Sequence, residues 1–559
     1  MSSLDTPIAA ADATRMQRWH ESSCSDYAAS LSAAAAAGAA RWDAVIVTAS
    51  DDSQRVAYEA QLRAELAARR IPEQSAWHVV ADSPGVKIGN GGSTLLVLRF
   101  LRAEYGVRAA EMRCLMIHAG GYSQRMPTHS VCGKIFGALP MALDGNGARP
   151  GSMLQLKLAS FAALPSPARM RPGVFVTCAD DVVFFDAAQC DFTRPGVTAL
   201  AHRSPLAVAE GHGVFLLPAR AGGGGDDDSA AACEASAFLH KPSVERMRAR
   251  GAVLQHVGAD ASEFAWTDSS FFFDADVAAR LLGVLDGLGG PLDCEVDCYG
   301  DFLQPLGAGA DEAYMQGTAN VVASSAGLAA VRRQLWDALR DVPLTAIPCH
   351  PSAFFHLGTF AECLHHLCES ETFGQMACVR RRLNSTVAES ARVAEQAVMM
   401  STSVAAGATV GRGALLEYTS VGERCIVGDG CLLSGAVLPA GSELPARTFM
   451  QTSPLGAQGG PPRFVTHVLQ IGDDIKTCAE PRWLGRPIGG QARLWEADCC
   501  ARNVWNAALF PVASTEEAAV ALALALLRGE ALPESQERIS LARSLAAADI
   551  AHVNTFRQR

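Results

Sequence analysis

Between residues 404 and 444 aliphatic side chains recur on a fixed step. Val404, Val410 and Leu416 stand six apart, Val421, Val427 and Leu433 repeat the spacing, and Leu438 and Leu444 follow. Glycines fall between them in "VAAGATVGRGALLEYTSVGERCIVGDGCLLSGAVLPAGSEL". One inward aliphatic residue per six, with turn glycines, is the pattern of a parallel β-helix. A single coil of this kind cannot bury its own apolar face, so coils must stack.

The chain upstream has another character. "DAVIVTAS" (43–50), "AWHVVAD" (76–82) and "RCLMIHAGG" (113–121) read as strands. They alternate with helical patterns at 53–70, where Val56, Leu62 and Leu66 share one side, and at 93–105. Strand–helix alternation predicts a doubly wound α/β domain, continued by "GVFVTCADD" (173–181) and "GVTALAH" (196–202). The Ala-rich residues 1–40 look peripheral, and "ARAGGGGDDDSAAA" (219–232) reads as a flexible surface insertion. From Ser514 the tail is helical, with Ser514 and Glu517 in capping-box register. The expected organisation is an N-terminal segment (1–40), an α/β domain (41–385), a β-helix with a loop-rich end (386–512) and a helical tail (513–559).

Composition narrows the classes. A length of 559 residues allows two or three domains. A net charge of −11 argues against a nucleic-acid polymer as partner, though not against a nucleotide in a local basic pocket. The 17 cysteines are scattered, odd in number and without paired Cys-x-x-Cys knuckles, which fits a reducing compartment. No apolar signal core opens the sequence, and Ala518–Leu527 is too short to cross a bilayer. A cytoplasmic protein without a membrane partner is expected.

The chemistry concentrates in "HAGGYSQRMPTHSVCGKIFGALP" (118–140). Backbone amides in a glycine turn after a strand can converge on phosphate oxygens. Arg125 offers a forked donor and Lys134 a compact charge for phosphoryl oxygens. An ordinary turn with two surface bases is the alternative. This is not a Walker loop, because the glycines are adjacent and Ile135 follows Lys134. "KIGNGGST" (87–94) is a second glycine stretch before a helix, suited to nucleotide contact or to tight packing. "TCADDVVFF" (177–185) ends an apolar strand in two carboxylates, a place for Mg²⁺ or for a helix cap. "LDCEVDCYGDFLQPLG" (292–307) adds Glu295, Asp297 and Asp301, either metal ligands or turn acids. "CLHHLC" (363–368) carries metal-type side chains on one helical stretch, where packing is the better reading. His118 either orients a ligand or caps its strand.

Taken together these stretches resemble the fucose-1-phosphate guanylyltransferase family. The likeness extends through "VKIGNGGSTL" (86–95), "HGVF" (212–215), "LHKPS" (239–243), "TDSSFFFD" (267–274), "FFHLGT" (354–359) and "NVWNAALFPV" (503–512). More widely the pattern is similar to sugar nucleotidyltransferases, which join a Rossmann-like domain to a left-handed β-helix. The resemblance implies GTP and β-L-fucose 1-phosphate as substrates, GDP-L-fucose and pyrophosphate as products, and Mg²⁺ as cofactor. It implies that Gly120, Gly121, Ser123 and Arg125 hold the triphosphate and that Lys134 neutralises the α-phosphate. Gly89, Asn90, Gly91, Gly92, Ser93 and Thr94 would contact the nucleotide. Gly213 and Lys241 would bind the sugar phosphate, with His240 standing where the wider motif has Glu. Asp180 would bind Mg²⁺ with Asp297 or Asp301. No kinase-type phosphate loop is evident near the C-terminus, so a stand-alone enzyme is expected, with self-association through the β-helix as a further expectation.

Two other classes compete. A regulatory subunit of this build would be expected to lose Lys134, Asp180 or Lys241, and all three are present. A hexapeptide-repeat acyltransferase needs a histidine within its coils, and residues 400–450 contain none.

Overall fold

Helix α1 (Ala10–Ser30), strand β1 (Ala44–Ala49), helix α2 (Asp52–Ala67), strand β2 (Ala76–Ala81), helix α3 (Gly89–Tyr105) and strand β3 (Arg113–His118) open the chain. The structure is a computed structural model and describes residues 8–31, 41–143, 149–218, 231–255, 262–317, 325–456, 461–476, 480–488, 494–495 and 501–558. Most of the expected surface insertion, residues 219–230, lies outside that set.

Strands β2, β1, β3 and Gly173–Cys178 run parallel in that order. Side chains alternate across this sheet as the pleat requires. Val45, Val47, Leu115 and Ile117 join one apolar core, while Ala44, Ile46, Cys114 and Met116 join the other. The sheet is mixed rather than purely doubly wound. Glu263–Asp274 lies antiparallel between Gly173–Cys178 and Val197–Pro205, and Leu344–Cys349 continues parallel to Val197–Pro205. A strand buried on both faces reads as a continuous apolar run whatever its direction, so the run "FFFD" could not reveal this.

Two local expectations are corrected. Helix α1 is not peripheral: Ala13, Met16, His20 and Tyr27 are buried, and the Tyr27 hydroxyl donates to the Arg70 carbonyl at 2.6 Å. On α2, Val56 is exposed, and the inward face is Gln54, Tyr58, Gln61 and Leu62. That face is polar because it holds a loop, as described below.

The six-residue step resolves into a three-faced prism of parallel coils. Val387, Val404, Val421 and Leu438 are paired on one face. Val393, Val410, Val427 and Leu444 lie on the second, and Met399, Leu416, Leu433 and Met450 on the third. Two steps of six and one of five return the chain to the same face, 17 residues on, as in the bond from Ser434 to Glu417. These side chains fill the prism interior, each burial contributing roughly 1.5–3 kcal/mol. The alternate residues Val398, Leu415, Leu432 and Phe449 face outward into the α/β core. Strand Thr448–Leu455 then pairs antiparallel with Arg463–Gln470 and ends the coiling. The following helix, Glu516–Leu527, is capped by Thr515, whose hydroxyl accepts from the Ala518 amide, not by Ser514.

Candidate functional site

Helix α2 forms one wall of the site through Gln54, Tyr58 and Gln61, which repeat on one helical face. Gln54 Oε1 accepts from the Gly121 amide at 3.2 Å. The Tyr58 hydroxyl donates to the Ala119 carbonyl at 2.9 Å, and Gln61 donates to the Cys132 carbonyl at 2.9 Å. One helix therefore grips both ends of the 119–134 segment. Thr48 Oγ1 accepts from the Ala119 and Gly120 amides at 3.2 and 3.3 Å. The amides of Gly120 and Gly121, expected to cradle phosphate, are thus engaged within the protein. Gly133, just before Lys134, has φ 83° and lies so close to the Tyr58 ring that a Cβ would stand 2.3 Å from it.

What the turn presents outward is side chains. Tyr122, Ser123, Gln124 and Arg125 line an open cleft together with Lys134, Asp180, Gly358 and Lys476. Ser123 Oγ is buried there without a hydrogen-bond partner. Lys134 Nζ donates to Asp180 at 2.7 Å, and His356 Nε2 stands 3.3 Å from the same carboxylate oxygen. Burial alone would raise the Asp180 carboxyl, but the His356 hydrogen bond and the Lys134 charge outweigh it and hold the group well below the usual carboxylate range. Burial would likewise lower His356, yet its bonds to Asp180 and Glu362 push it up to about 10, so it is an imidazolium at neutral pH. The cleft thus gathers four cations around one ionised carboxylate. Asp181, next in the chain, points the other way, as alternation on a strand requires. It is 3% exposed and paired with the buried Lys157 at 2.8 Å.

A second cluster gathers around Lys241, whose own backbone is held at φ 45° and donates to the His212 carbonyl at 2.9 Å. Gly213 donates its amide to Asp268 at 3.0 Å. Burial pushes the Asp268 carboxyl up to about 7 against that bond. Burial lowers His240 to about 4, partly opposed by Asp297. The His212 ring lies 5.3 Å from Phe354, on the strand that ends in His356, and feels the His356 charge. His212 thus feels charge from both sides, from His356 and from Lys241.

The second glycine stretch has a different task. Gly89–Thr94 forms the first turns of α3, not a loop. The Gly91 amide donates to the Val296 carbonyl at 2.9 Å, and Asn90 Oδ1 accepts from the Cys298 amide at 2.8 Å. A Cβ on Gly89 would lie 2.4 Å from the Val296 carbonyl oxygen, so these glycines admit another chain segment. Ser93 bonds Asp82, and Thr94 meets His118 Nε2 at 3.1 Å. Gly89, Gly91, Gly92, Ser93 and Thr94 all take part in packing or internal hydrogen bonds, and His118 is a buried tie, lowered to about 4 by burial.

The acids of 292–307 are occupied too. Asp301 is fully buried and accepts from Arg332 at 2.8 Å and from the Asp297 amide at 2.8 Å. Glu295 pairs with Lys87. Asp297 accepts the Tyr299 and Gly300 amides at 2.9 and 2.7 Å. Among the described residues no group of three or more His, Cys, Asp or Glu side chains could hold a metal. In "CLHHLC", Cys363, His366 and Cys368 are buried, and His366 lies against Phe355 and Phe373.

Three parts of the site went unseen in the sequence. Gln54, Tyr58 and Gln61 carried a signal in their i, i+4, i+7 spacing. His356 lay inside "FFHLGT" with no assigned role. Lys476 gave no local signal at all.

A cleft that assembles cations about one carboxylate beside an α/β sheet offers the kind of charge that phosphate groups require. The fucose pyrophosphorylase domain matches residues 108–515, and the chain belongs to that family. It is 41% identical over 342 residues to mouse fucose-1-phosphate guanylyltransferase, covering 58% of this chain and 56% of that protein. The human fucose-1-phosphate guanylyltransferase is 39% identical over 342 residues, covering 58% and 55%. The bifunctional fucokinase/GDP-fucose pyrophosphorylase of Arabidopsis thaliana is 27% identical over 238 residues, covering 38% of this chain and 22% of that one. The chain thus spans little more than half the length of the mouse and human relatives it matches.

Proposed function

We propose that this chain forms GDP-L-fucose and pyrophosphate from GTP and β-L-fucose 1-phosphate. Family membership and the similar guanylyltransferases support the reaction class and the substrates. The observation that carries the reading is the cleft in which Arg125, Lys134 and Asp180 come together. In the reaction an oxygen of the sugar phosphate attacks the α-phosphorus, and the bond from that phosphorus to the β-bridging oxygen breaks. Its electron pair leaves with pyrophosphate, so no proton need move. The barrier lies in bringing two polyanions together, and fixed cations lower it. Arg125 and Ser123 would hold the triphosphate, Lys134 would meet charge at the α-phosphate, and Lys241 with the Gly213 turn would hold the sugar phosphate.

Asp180, ionised and in the cleft, would hold Mg²⁺ with substrate phosphates as the other ligands, and Asp297 is the remaining acid that could assist. Such an ion supplies charge neutralisation at the phosphoryl oxygens. We read the coils as left-handed, as the wider sugar nucleotidyltransferase pattern implies. Among the described residues no helix is long and apolar enough to cross a membrane. The cysteines described carry no disulfide, which supports a cytoplasmic setting. Self-association through the coils is part of the same proposal.

Pyrophosphate release, measured with Mg²⁺ for four NTPs against a panel of sugar 1-phosphates, tests the reading. Release with GTP and fucose 1-phosphate is expected. Another productive pair would keep the chemistry and replace the substrate. No release from folded protein would favour a non-catalytic subunit.

A further inference from the structure

Lys476 belongs to the segment after the coils, yet its side chain lines the same cavity as Arg125, Lys134 and Asp180. Its placement is built. Ile475 is buried, and its carbonyl accepts from the Trp505 amide at 3.1 Å. The Lys476 carbonyl accepts from Asn503 Nδ2 at 2.5 Å, and its amide donates to Asp474 Oδ1 at 3.1 Å. Both anchoring residues come from the "NVWN" run at 503–506. The backbone is therefore fixed while the side chain extends, exposed, toward the cleft.

The charges in that cavity do not balance. Asp180 is already shared by Lys134 and His356. Among the described residues neither Arg125 nor Lys476 has a carboxylate partner. A second pair of cations with no carboxylate of their own suits a ligand with more negative charge than one phosphate monoester brings.

We infer that Lys476 is a pyrophosphate-binding residue of this site. It holds the terminal phosphates of the nucleotide in the forward direction and pyrophosphate in the reverse. The region after the coils thereby completes the site, and Asn503 positions Lys476. This rests on the nucleotidyl-transfer reading above.

The test uses full-length protein in the reverse reaction, forming GTP from GDP-fucose and pyrophosphate. In Lys476→Ala the KM for pyrophosphate should rise about 10- to 100-fold, the worth of one charge-assisted hydrogen bond. The KM for GDP-fucose should stay within about twofold of wild type, and the melting temperature should not move, because the side chain is exposed. Lys476→Arg should recover most of the affinity. Asn503→Ala should raise the same KM by less. An unchanged pyrophosphate KM, or an equal rise in both KM values, overturns the inference. Calorimetric titration with pyrophosphate alone separates it from the reaction itself. If wild type turns over no nucleotide sugar but binds pyrophosphate, and Lys476→Ala binds at least about tenfold more weakly, the inference stands and the activity reading falls. Equal binding by both proteins, or none by wild type, overturns the inference.

Discussion

The two glycine-rich stretches, 87–94 and 118–125, look alike in sequence and do opposite things. In the first, glycines let the 295–298 segment come within hydrogen-bond reach of α3. In the second, Gly121 adopts φ 100° with open space where a Cβ would stand. Its amide and that of Gly120 are tied down, so that Ser123 and Arg125 face the cleft. Glycine in one place admits protein, and in the other it turns the chain so that side chains face the cleft. What separates them is the partner across from each, and a partner hundreds of residues away is not visible locally.

Substitutions can sharpen this contrast. The largest effect should come from the cation that the second stretch delivers: Lys134→Ala should lower turnover about 10²–10³-fold. Nucleotide KM should change far less, and steady-state pyrophosphate release would show this. Intact turnover would remove Lys134 from the mechanism. Next, Gly89→Ala should cost about 3 kcal/mol in urea unfolding, from a contact with the Val296 carbonyl and a positive φ together, with little change in KM for the protein that remains folded.

A third glycine, Gly213, is held through its amide by Asp268, and there the signal is in pH. Burial raises the folded Asp268 carboxyl to about 7, against an unfolded value of 3.8. The group therefore contributes full stability below the unfolded value and loses it as pH rises through about 7. Asp268→Asn should flatten the stability profile between those limits by on the order of 1 kcal/mol per pH unit, read from melting temperature against pH. A parallel profile would show that Asp268 is ionised throughout. The smallest effect belongs to Gly121→Ala. Only backbone strain opposes it, so stability should fall by about 1 kcal/mol, with the loss appearing chiefly as a raised nucleotide KM. A Gly121 variant less stable than the Gly89 one would erase the contrast.

How far the sequence was legible follows the same line. The coils could be read because period and pairing are both local: Val404 meets Val421 one coil later. The Lys134–Asp180 pair was approachable because Asp180 follows a strand closely and Lys134 belongs to the glycine-marked segment after another. The buried pairing of Asp301 was not legible because its partner, Arg332, lies 31 residues on, and nothing near it marks a buried ion pair. The antiparallel course of Glu263–Asp274 and the inward polar face of α2 depend on tertiary neighbours as well. Lys476 depends most of all on assembly, since only the fold brings it to Lys134.

The coils also act as a ruler. Each adds about 4.8 Å along the prism, the spacing of neighbouring strands. Successive coils pack on the α/β core through Val398, Leu415, Leu432 and Phe449, and beyond the last lie the segments that carry Lys476 and Arg557, whose guanidinium donates to the Phe136 carbonyl two residues past Lys134. Inserting one more 17-residue coil would preserve every internal pairing and still carry both cations away from their contacts. The number of turns is thus set by reach, and length in this family member is a calibrated dimension as much as a structural one.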